Sequence, residues 1–353
     1  MVFLGMGMIR ILFLADTHLG FDFPFQPRVK RRRRGPDFFR MFDLALEPAL
    51  RGEVDIVIHG GDILYRSKVP PQLVQMAFEP LQKVADKGVP VFVVPGNHER
   101  SAIPFRLWAS HPNIHIFVRP KTFYPDVKGV RLALAGFPYI RDNIRQHFPR
   151  ILEQTGWNQK PADAAVLCMH HIAEGAALQV GSRFYVFRNN RDVIRISDFP
   201  SCFSAILAGH IHRFQVLTKN LHGNPIAVPI FYPGSTERTS FVEKDETKGY
   251  LTLDIDPAVN DVNGPGGKLK QWRFHELPAR PMHQLEVQAA NMTASELESW
   301  IKKNLAHLHR DSVVKIRIHG KMSTGLLSVV GAASLRSLAP ETMNVTIGFV
   351  ENN

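Results

Sequence analysis

The chain reads as a mixed α/β layered domain followed by a small α/β module, and three observations predict this. Between residues 8 and about 275, apolar runs of strand length alternate with helical patterns and loops, the order that builds sheets flanked by helices. Five of the apolar runs end in short blocks that contain His, Asp or Asn. Near residue 280 prolines interrupt the pattern, and strand, helix and strand begin afresh. With 353 residues and 44% hydrophobic content, the chain can bury one large core and one small one. We expect domains at 8-277 and 282-353.

In chain order, Ile11-Leu-Phe-Leu-Ala15 is a buried-strand run ending in Asp16-Thr-His18. Asp37 to Pro48 reads as a helix. Val54 to Ile58 runs into His59-Gly-Gly-Asp62. Gln72 to Lys87 reads as a second helix, with Val74, Ala77, Phe78, Leu81 and Val84 on one stripe and Gly88 as its stop. Val91-Phe-Val-Val-Pro95-Gly leads to Asn97-His98-Glu99, Val166-Leu-Cys-Met to His170-His171, and Ala205-Ile-Leu-Ala-Gly209 to His210-Ile-His212. Glycine at such ends lets the backbone turn sharply and approach a bound ion. The polar Pro257 to Gly267 stretch reads as a loop or hairpin before Trp272-Arg-Phe-His275, and Pro278 and Pro281 mark a linker. Beyond it we expect a strand at His283 to Gln288 and a helix from Ala294 to His307 capped by Thr293 or Ser295. A strand at Val313 to Ile318, a helix reaching Ser337 and a strand at Asn344 to Val350 follow. This module carries no ligand-like block, so its expected work is substrate handling or packing.

The residue types in the five blocks point to two-metal phosphoester chemistry. Two divalent cations about 3.5 to 4 Å apart can clamp a phosphate and stabilise both the attacking and the leaving oxygen. A carboxylate shared by both ions must sit centrally, and Asp62 after Gly60-Gly61 is the candidate. Mixed His, Asp and Asn donors suit Mn, Fe or Zn better than ions that prefer all-oxygen shells, and the absence of thiolates fits exchangeable catalytic ions. A lone Asp-x-His or Gly-Asp is weak evidence, Gly-Asn-His-Glu and Gly-His-x-His after strands are more specific, and all five blocks in this order are the most specific signal. His59 and His171 read as core or supporting residues. His111, His115, His147, His222, His275, His307, His309 and His319 fit no block.

Composition narrows the substrate and the compartment. Against 32 Asp and Glu stand 43 Lys and Arg, a net charge of +11, which favours an anionic polymer as partner. The run Lys30-Arg31-Arg32-Arg33-Arg34 follows His18 in a Pro-containing loop and is expected to contact phosphate backbone. Cys168 and Cys202 are the only cysteines, which excludes a disulfide framework and fits a reducing cytoplasm. The apolar start lacks a basic leader and runs straight into the first ligand strand, so neither a signal peptide nor a membrane helix is expected; Met8 is a second candidate start.

With those residues in view, the chain resembles the SbcD-type double-strand-break repair nucleases, relatives of Mre-eleven in archaea and eukaryotes. Asp16-Thr-His-Leu-Gly20, Gly61-Asp-Ile-Leu-Tyr-Arg-Ser-Lys-Val-Pro70, Gly96-Asn-His-Glu99 and Gly209-His-Ile-His212 are similar to that family's spacing. So are Tyr232-Pro-Gly-Ser-Thr-Glu-Arg238 with Phe241, Lys248-Gly-Tyr250, and Phe274-His-Glu-Leu-Pro-Ala-Arg-Pro281. The resemblance spans residues 8 to about 350, loosely in the last module. It implies a calcineurin-like metallophosphoesterase sandwich of two mixed sheets flanked by helices, with a small C-terminal capping domain. It implies a DNA nuclease, exonuclease and possible endonuclease, using two divalent ions, Mn first and Fe, Zn or Mg as alternatives. One ion falls to Asp16, His18 and His212, the other to Asn97, His170 and His210, with Asp62 between them. His98 falls where the family assists attack or leaving-group protonation, and Arg238 and Ser235 fall where nucleic acid is faced. Partners implied are DNA, a second copy of the chain and an SMC-like ATPase of the SbcC type. The ATPase expectation is weakened because its docking helices usually follow the cap, and this chain stops at Asn353. Two departures stand out: Glu99 replaces the family's usual Asp, and Tyr65 stands where archaeal relatives carry a second functional histidine. The competing readings are a phosphatase or phosphodiesterase for small nucleotides, and a noncatalytic scaffold, which would be free to lose ligands.

Overall fold

The computed structural model describes residues 7–23, 33–99, 110–180, 183–257, 268–320 and 323–350. Two sheets face each other. In the six-stranded sheet the order is Lys268–Glu276, Gly249–Asp256, Ile9–Leu14, Ile56–His59, Val91–Val93 and Ile114–Ile116; the last four run parallel and the first two form an antiparallel edge. The second sheet orders Gln215–Lys219, Pro225–Tyr232, Ala205–Ala208, Ala164–Met169, Val130–Gly136 and Lys121–Phe123, with Asp126–Val127 also pairing on Val130–Gly136. Its four middle strands are parallel.

Strand alternation decides which core each side chain enters. Ile9, Ile11 and Phe13 pack with Ile56, Ile58, Leu132, Leu134, Val166 and Leu207 between the sheets. Leu12 and Leu14 point the other way, onto Phe38, Phe42, Ala77 and Leu81 of the helices Gly35–Leu50 and Pro71–Asp86. The helix Ile144–Thr155 covers the far face of the second sheet, with Phe148 against Ala133, Leu167 and Ile206. The result is helix, sheet, sheet, helix. Both helices expected on the first face are present within a few residues of their predicted bounds. No described helix is long and apolar enough to cross a membrane.

The C-terminal module has three parallel strands, Met282–Gln288, Val313–His319 and Asn344–Val350, and its own apolar cluster of Val287, Leu297, Ile301, Ile316, Ile318 and Leu335. Thr293, one of the two expected caps, closes a capping box with Glu296 on the helix Ala294–Ala306, worth about 1 kcal/mol. The helix expected to reach Ser337 is two short ones, Thr324–Val329 and Ala332–Leu338, parted near Gly331. The expected linker at Pro278 to Pro281 is a fixed joint rather than a loose tether. Arg280 within it is buried, and its guanidinium donates to Asp37 Oδ2 (3.0 Å), Asn344 Oδ1 (2.7 Å) and the carbonyls of Asp311 (2.6 Å) and Thr342 (2.8 Å). One cation thus binds the helix Gly35–Leu50 to two segments of the C-terminal module.

Candidate metal centre

Asp16, Asp62, His170 and His210 all follow the C-terminal ends of parallel strands, where both sheets open on the same side. Ala15 bridges Ser235 in parallel fashion, and Asp16 N–H donates to Gly61 O (2.9 Å), which fixes the first two loops together. The chain bends hard there. Among the described residues seven non-glycine positions have positive φ, and four of them are Asp16 (53°), His18 (46°), Asp62 (52°) and His210 (85°). Such backbone costs about 1–3 kcal/mol per residue and marks a site where the surrounding structure imposes the geometry. Two glycines let the walls close: a Cβ on Gly96 would overlap Asp62 Oδ1, and one on Gly209 would overlap the Gly60 carbonyl.

The donors gather in two groups, linked by the approach of His18 to Asp62. Asp16, His18 and His212 form one group, and Asp62, His170 and His210 another, each with ligand atoms within 4.8 Å of one another. Asn97 belongs with the second group, its Oδ1 lying 3.2 Å from His170 Nε2 and 2.9 Å from His210 Nδ1. His98 joins His18 and Asp62 in a third combination, so its position alone permits either ligation or proton transfer. Its Nδ1 sits 3.1 Å from the Leu64 carbonyl, which leaves Nε2 facing Asp62 Oδ2 at 3.8 Å.

The electrostatics fit cations. His170 Nδ1 lies 2.7 Å from the Gly60 carbonyl and must donate to it, so the Nε2 lone pair of a neutral ring faces the Asn97 and Asp62 oxygens, all acceptors. Only a proton or a cation relieves that convergence. Burial lowers the pKa of His170, but Asp62 and Asp16 outweigh it and push it up to about 9. His18 and His212 approach at 2.8 Å between their Nε2 atoms, and the buried Nδ1 of His18 has no hydrogen-bond partner among the described residues. Asp16 is pushed up by burial to about 6, against the pull of His170 and His212. Burial acts on Asp62 too, yet the imidazoles of His170, His18 and His98 hold it far below the usual carboxylate range.

A family model for calcineurin-like phosphoesterases matches residues 9–214, the span of the fold described above that carries all seven metal-ligand candidates. The chain belongs to this phosphoesterase family. Together with the two donor groups, membership marks a centre for two divalent ions. Curated relatives narrow the branch. The DNA double-strand break repair protein Mre11 of Archaeoglobus fulgidus is 32% identical over 350 residues, covering 93% of this chain and 72% of its own length. Proteins of the same name from Haloferax volcanii and Aeropyrum pernix are 27% and 24% identical, over 95% and 79% of this chain. The chain spans 65% and 64% of those two proteins. This phosphoesterase therefore lies on the Mre11 branch.

The structure corrects three of the expected nucleic-acid contacts. Arg34 is buried: its guanidinium lies over the rings of Phe21 and Phe38, donates to the Arg238 carbonyl (2.5 Å) and pairs with Glu237 at 3.8 Å. Arg238 spends its donors on the carbonyls of Glu243, Arg280 and Glu246. Ser235 is fully buried beneath the site, its N–H donating to His212 O at 3.0 Å. All three hold the scaffold. Arg33 pairs with Asp22 at 2.7 Å, partly exposed; Lys30, Arg31 and Arg32 lie outside the described residues. His59 and His171 are buried, held neutral by burial, and hydrogen-bonded to Thr17 and to Ile140 N–H respectively.

Sequence pattern does not reveal Glu243, and it marks Glu99 as a departure without showing its use. Glu243 Oε1 accepts from His212 Nδ1 (3.2 Å) and Thr239 Oγ1 (2.5 Å), while Oε2 accepts from the fully buried Lys248 Nζ (2.6 Å). Burial pushes Glu243 up, but His212 and Lys248 hold it well below the usual carboxylate range. The available signal is an acid five residues before Lys248-Gly-Tyr250. Glu99 accepts three backbone N–H groups, from Asp62 (2.9 Å), Gly96 (2.7 Å) and Leu64 (3.0 Å), tying the second ligand loop to the third. Burial and neighbouring Asp62 push its carboxyl up to about 8, against those donors. Tyr65 stands edge-on to His18, ring centroids 6.0 Å apart.

Proposed function

We propose that this protein is a metal-dependent DNA nuclease that hydrolyses phosphodiester bonds in DNA repair. The observation that carries the reading is the pair of donor groups, linked through His18 and Asp62, on a chain whose relatives are DNA double-strand break repair proteins. Asp16, His18 and His212 would hold one ion, Asn97, His170 and His210 the other, and Asp62 both. When bound, two such ions draw the phosphate in, lower the pKa of water and neutralise charge on the attacking and leaving oxygens. Mn is the ion we favour, because imidazole and carboxylate donors are mixed.

The chain's own residues do the remainder. Gly60 fixes His170 through its carbonyl, and Glu243 fixes His212, so each ring presents Nε2. His98 is 29% exposed in its side chain, which leaves its imidazole open to a bound phosphodiester. With Nδ1 held by Leu64, its Nε2 can pass a proton to the departing 3′ or 5′ oxygen. The net charge of +11 suits a polyanionic substrate and argues against the alternative of a small nucleotide.

The deciding experiment compares purified protein on DNA and on bis(p-nitrophenyl) phosphate, with Mn, with Mg and with chelator. DNA cleavage that needs Mn and ceases in chelator is expected. Full activity in chelator would remove the metal reading, and turnover of the small diester without any DNA cleavage would favour the small-substrate enzyme.

A further inference from the structure

An aromatic hairpin lies beside the metal centre and has no part in the mechanism above. Among the described residues its strands Ala177–Val180 and Arg183–Val186 pair only with each other. It is nonetheless fastened to the catalytic sheet, because the Gln215 side chain exchanges two hydrogen bonds with the Ala177 backbone, at 2.9 and 3.0 Å. The hairpin also packs on the turn Phe241–Glu243, the turn whose Glu243 holds His212. Phe184 and Tyr185 are 57% and 52% exposed on it. Arg213, the residue after His212, lies with its guanidinium 4.4 Å from the Phe184 ring centroid. Val242 on that turn is 55% exposed and adds to the apolar surface.

Phe184 and Tyr185 are consecutive in one strand and so face opposite sides of the hairpin: Tyr185 meets Phe187 edge-on, ring centroids 5.0 Å apart, whereas Phe184 has Arg213 against it, with Arg183, Arg188 and Arg191 close along the chain. A protein partner built on an apolar core would have to desolvate those cations; a nucleic acid strand supplies phosphates for them and a base face for the ring. We propose that Phe184, with Arg213 beside it, forms a stacking platform for an unpaired base of a DNA strand whose phosphates run on to the metal centre. The platform rests on the nuclease reading and adds a preference: strands with unpaired bases bind better than fully paired duplex, whose bases have no free faces.

The test uses the full protein and three oligonucleotides: a single strand containing 2-aminopurine, the same strand with abasic sites, and a blunt duplex. Phe184→Ala should weaken binding of the single strand by about fivefold or more, whereas Tyr185→Ala, on the opposite face, should leave it unchanged. Phe184→Ala should also lower the ratio of DNA cleavage to bis(p-nitrophenyl) phosphate hydrolysis, and remove the quenching of 2-aminopurine that stacking causes. Phe184→Trp should restore binding. Both side chains are exposed, so the variants should fold, and metal-dependent hydrolysis of the small diester reports that they do. Equal affinity of the wild type for intact and abasic strands, or unchanged single-strand affinity in Phe184→Ala, would overturn the platform. A wild type that hydrolyses the small diester but cleaves no DNA would refute the nuclease reading instead, and the binding comparison would then judge the platform by itself.

Discussion

Replacing Glu243 by Gln isolates the contribution of a residue that touches no substrate. In the native protein the carboxylate takes His212 Nδ1–H on one oxygen and the Lys248 ammonium on the other, at 3.2 and 2.6 Å. An amide of the same shape offers one acceptor and one donor group, so either His212 or Lys248 must face an N–H. If the donor turns to His212, the imidazole loses the bond that presents Nε2 to the ion; such supporting contacts are worth about 10–100-fold in metal affinity. If it turns to Lys248, a buried ammonium keeps only Glu246 Oε2 at 3.0 Å and His212 O at 2.8 Å, and the fold loses about 1.5–3 kcal/mol, the scale of a charged hydrogen bond. The two costs separate in the double variant Glu243→Gln with Lys248→Met, where stability should partly return and metal affinity should not. Calorimetric titration with Mn and thermal unfolding without metal read the two quantities. Native metal affinity in Glu243→Gln, with the melting temperature also unchanged, would refute the reasoning that Glu243 orients His212.

Further outcomes are expected elsewhere in the site. His98→Ala should retain both ions and lose about two to four orders of magnitude in turnover, whereas Asp62→Asn should lose metal; equal loss of metal occupancy in the two variants would make His98 a ligand. Metal binding should release protons and tighten as pH rises from 6.5 toward about 9, because the raised pKa of His170 keeps a proton where the cation must go. The same shift means that the imidazolium's contribution to the metal-free fold is complete below 6.5 and is lost as pH climbs through about 9. Titrations in buffers of different ionisation enthalpy count those protons, and a count of zero across that window rejects the assignment. Gly96→Ala should bind metal poorly and lower the unfolding midpoint, since its methyl would overlap both the Asp62 carboxylate and the Asp62 backbone nitrogen; metal analysis and thermal unfolding of the purified variant decide. Arg31→Gln with Arg32→Gln should flatten log DNA affinity against log salt by up to about 0.9 for each phosphate no longer neutralised. Arg34→Gln should instead lower the unfolding midpoint by removing a buried guanidinium that stacks on Phe21 and Phe38, with no change in salt slope.

What the sequence by itself determined was local. Ile11 to Ala15, Val54 to Ile58 and Val166 to Met169 could be read as strands because an apolar run buried on both faces has few other uses, and the ligand blocks stood out because Gly, Asp and His at strand ends serve no packing purpose. The same reasoning located the helices Gly35–Leu50 and Pro71–Asp86 and the strands of the last module. Tertiary structure decided what no periodicity encodes. The run Lys30 to Arg34 looks uniform in sequence, yet Arg34 enters a slot between Phe21, Phe38 and Glu237, residues that are brought together only when the chain folds back over the first helix. Arg238 and Ser235 sit in a segment that looked aimed at substrate, but their partners are carbonyls 5 to 42 residues away. Glu243 acquires its role from a turn that brings it to His212, 31 residues earlier, and Arg280 from joining Asp37 to Asn344 across 243 and 64 residues. A side chain's type is fixed by the gene, but its desolvation and its partners are set by where distant strands end, and those decide whether an arginine meets DNA or locks the fold.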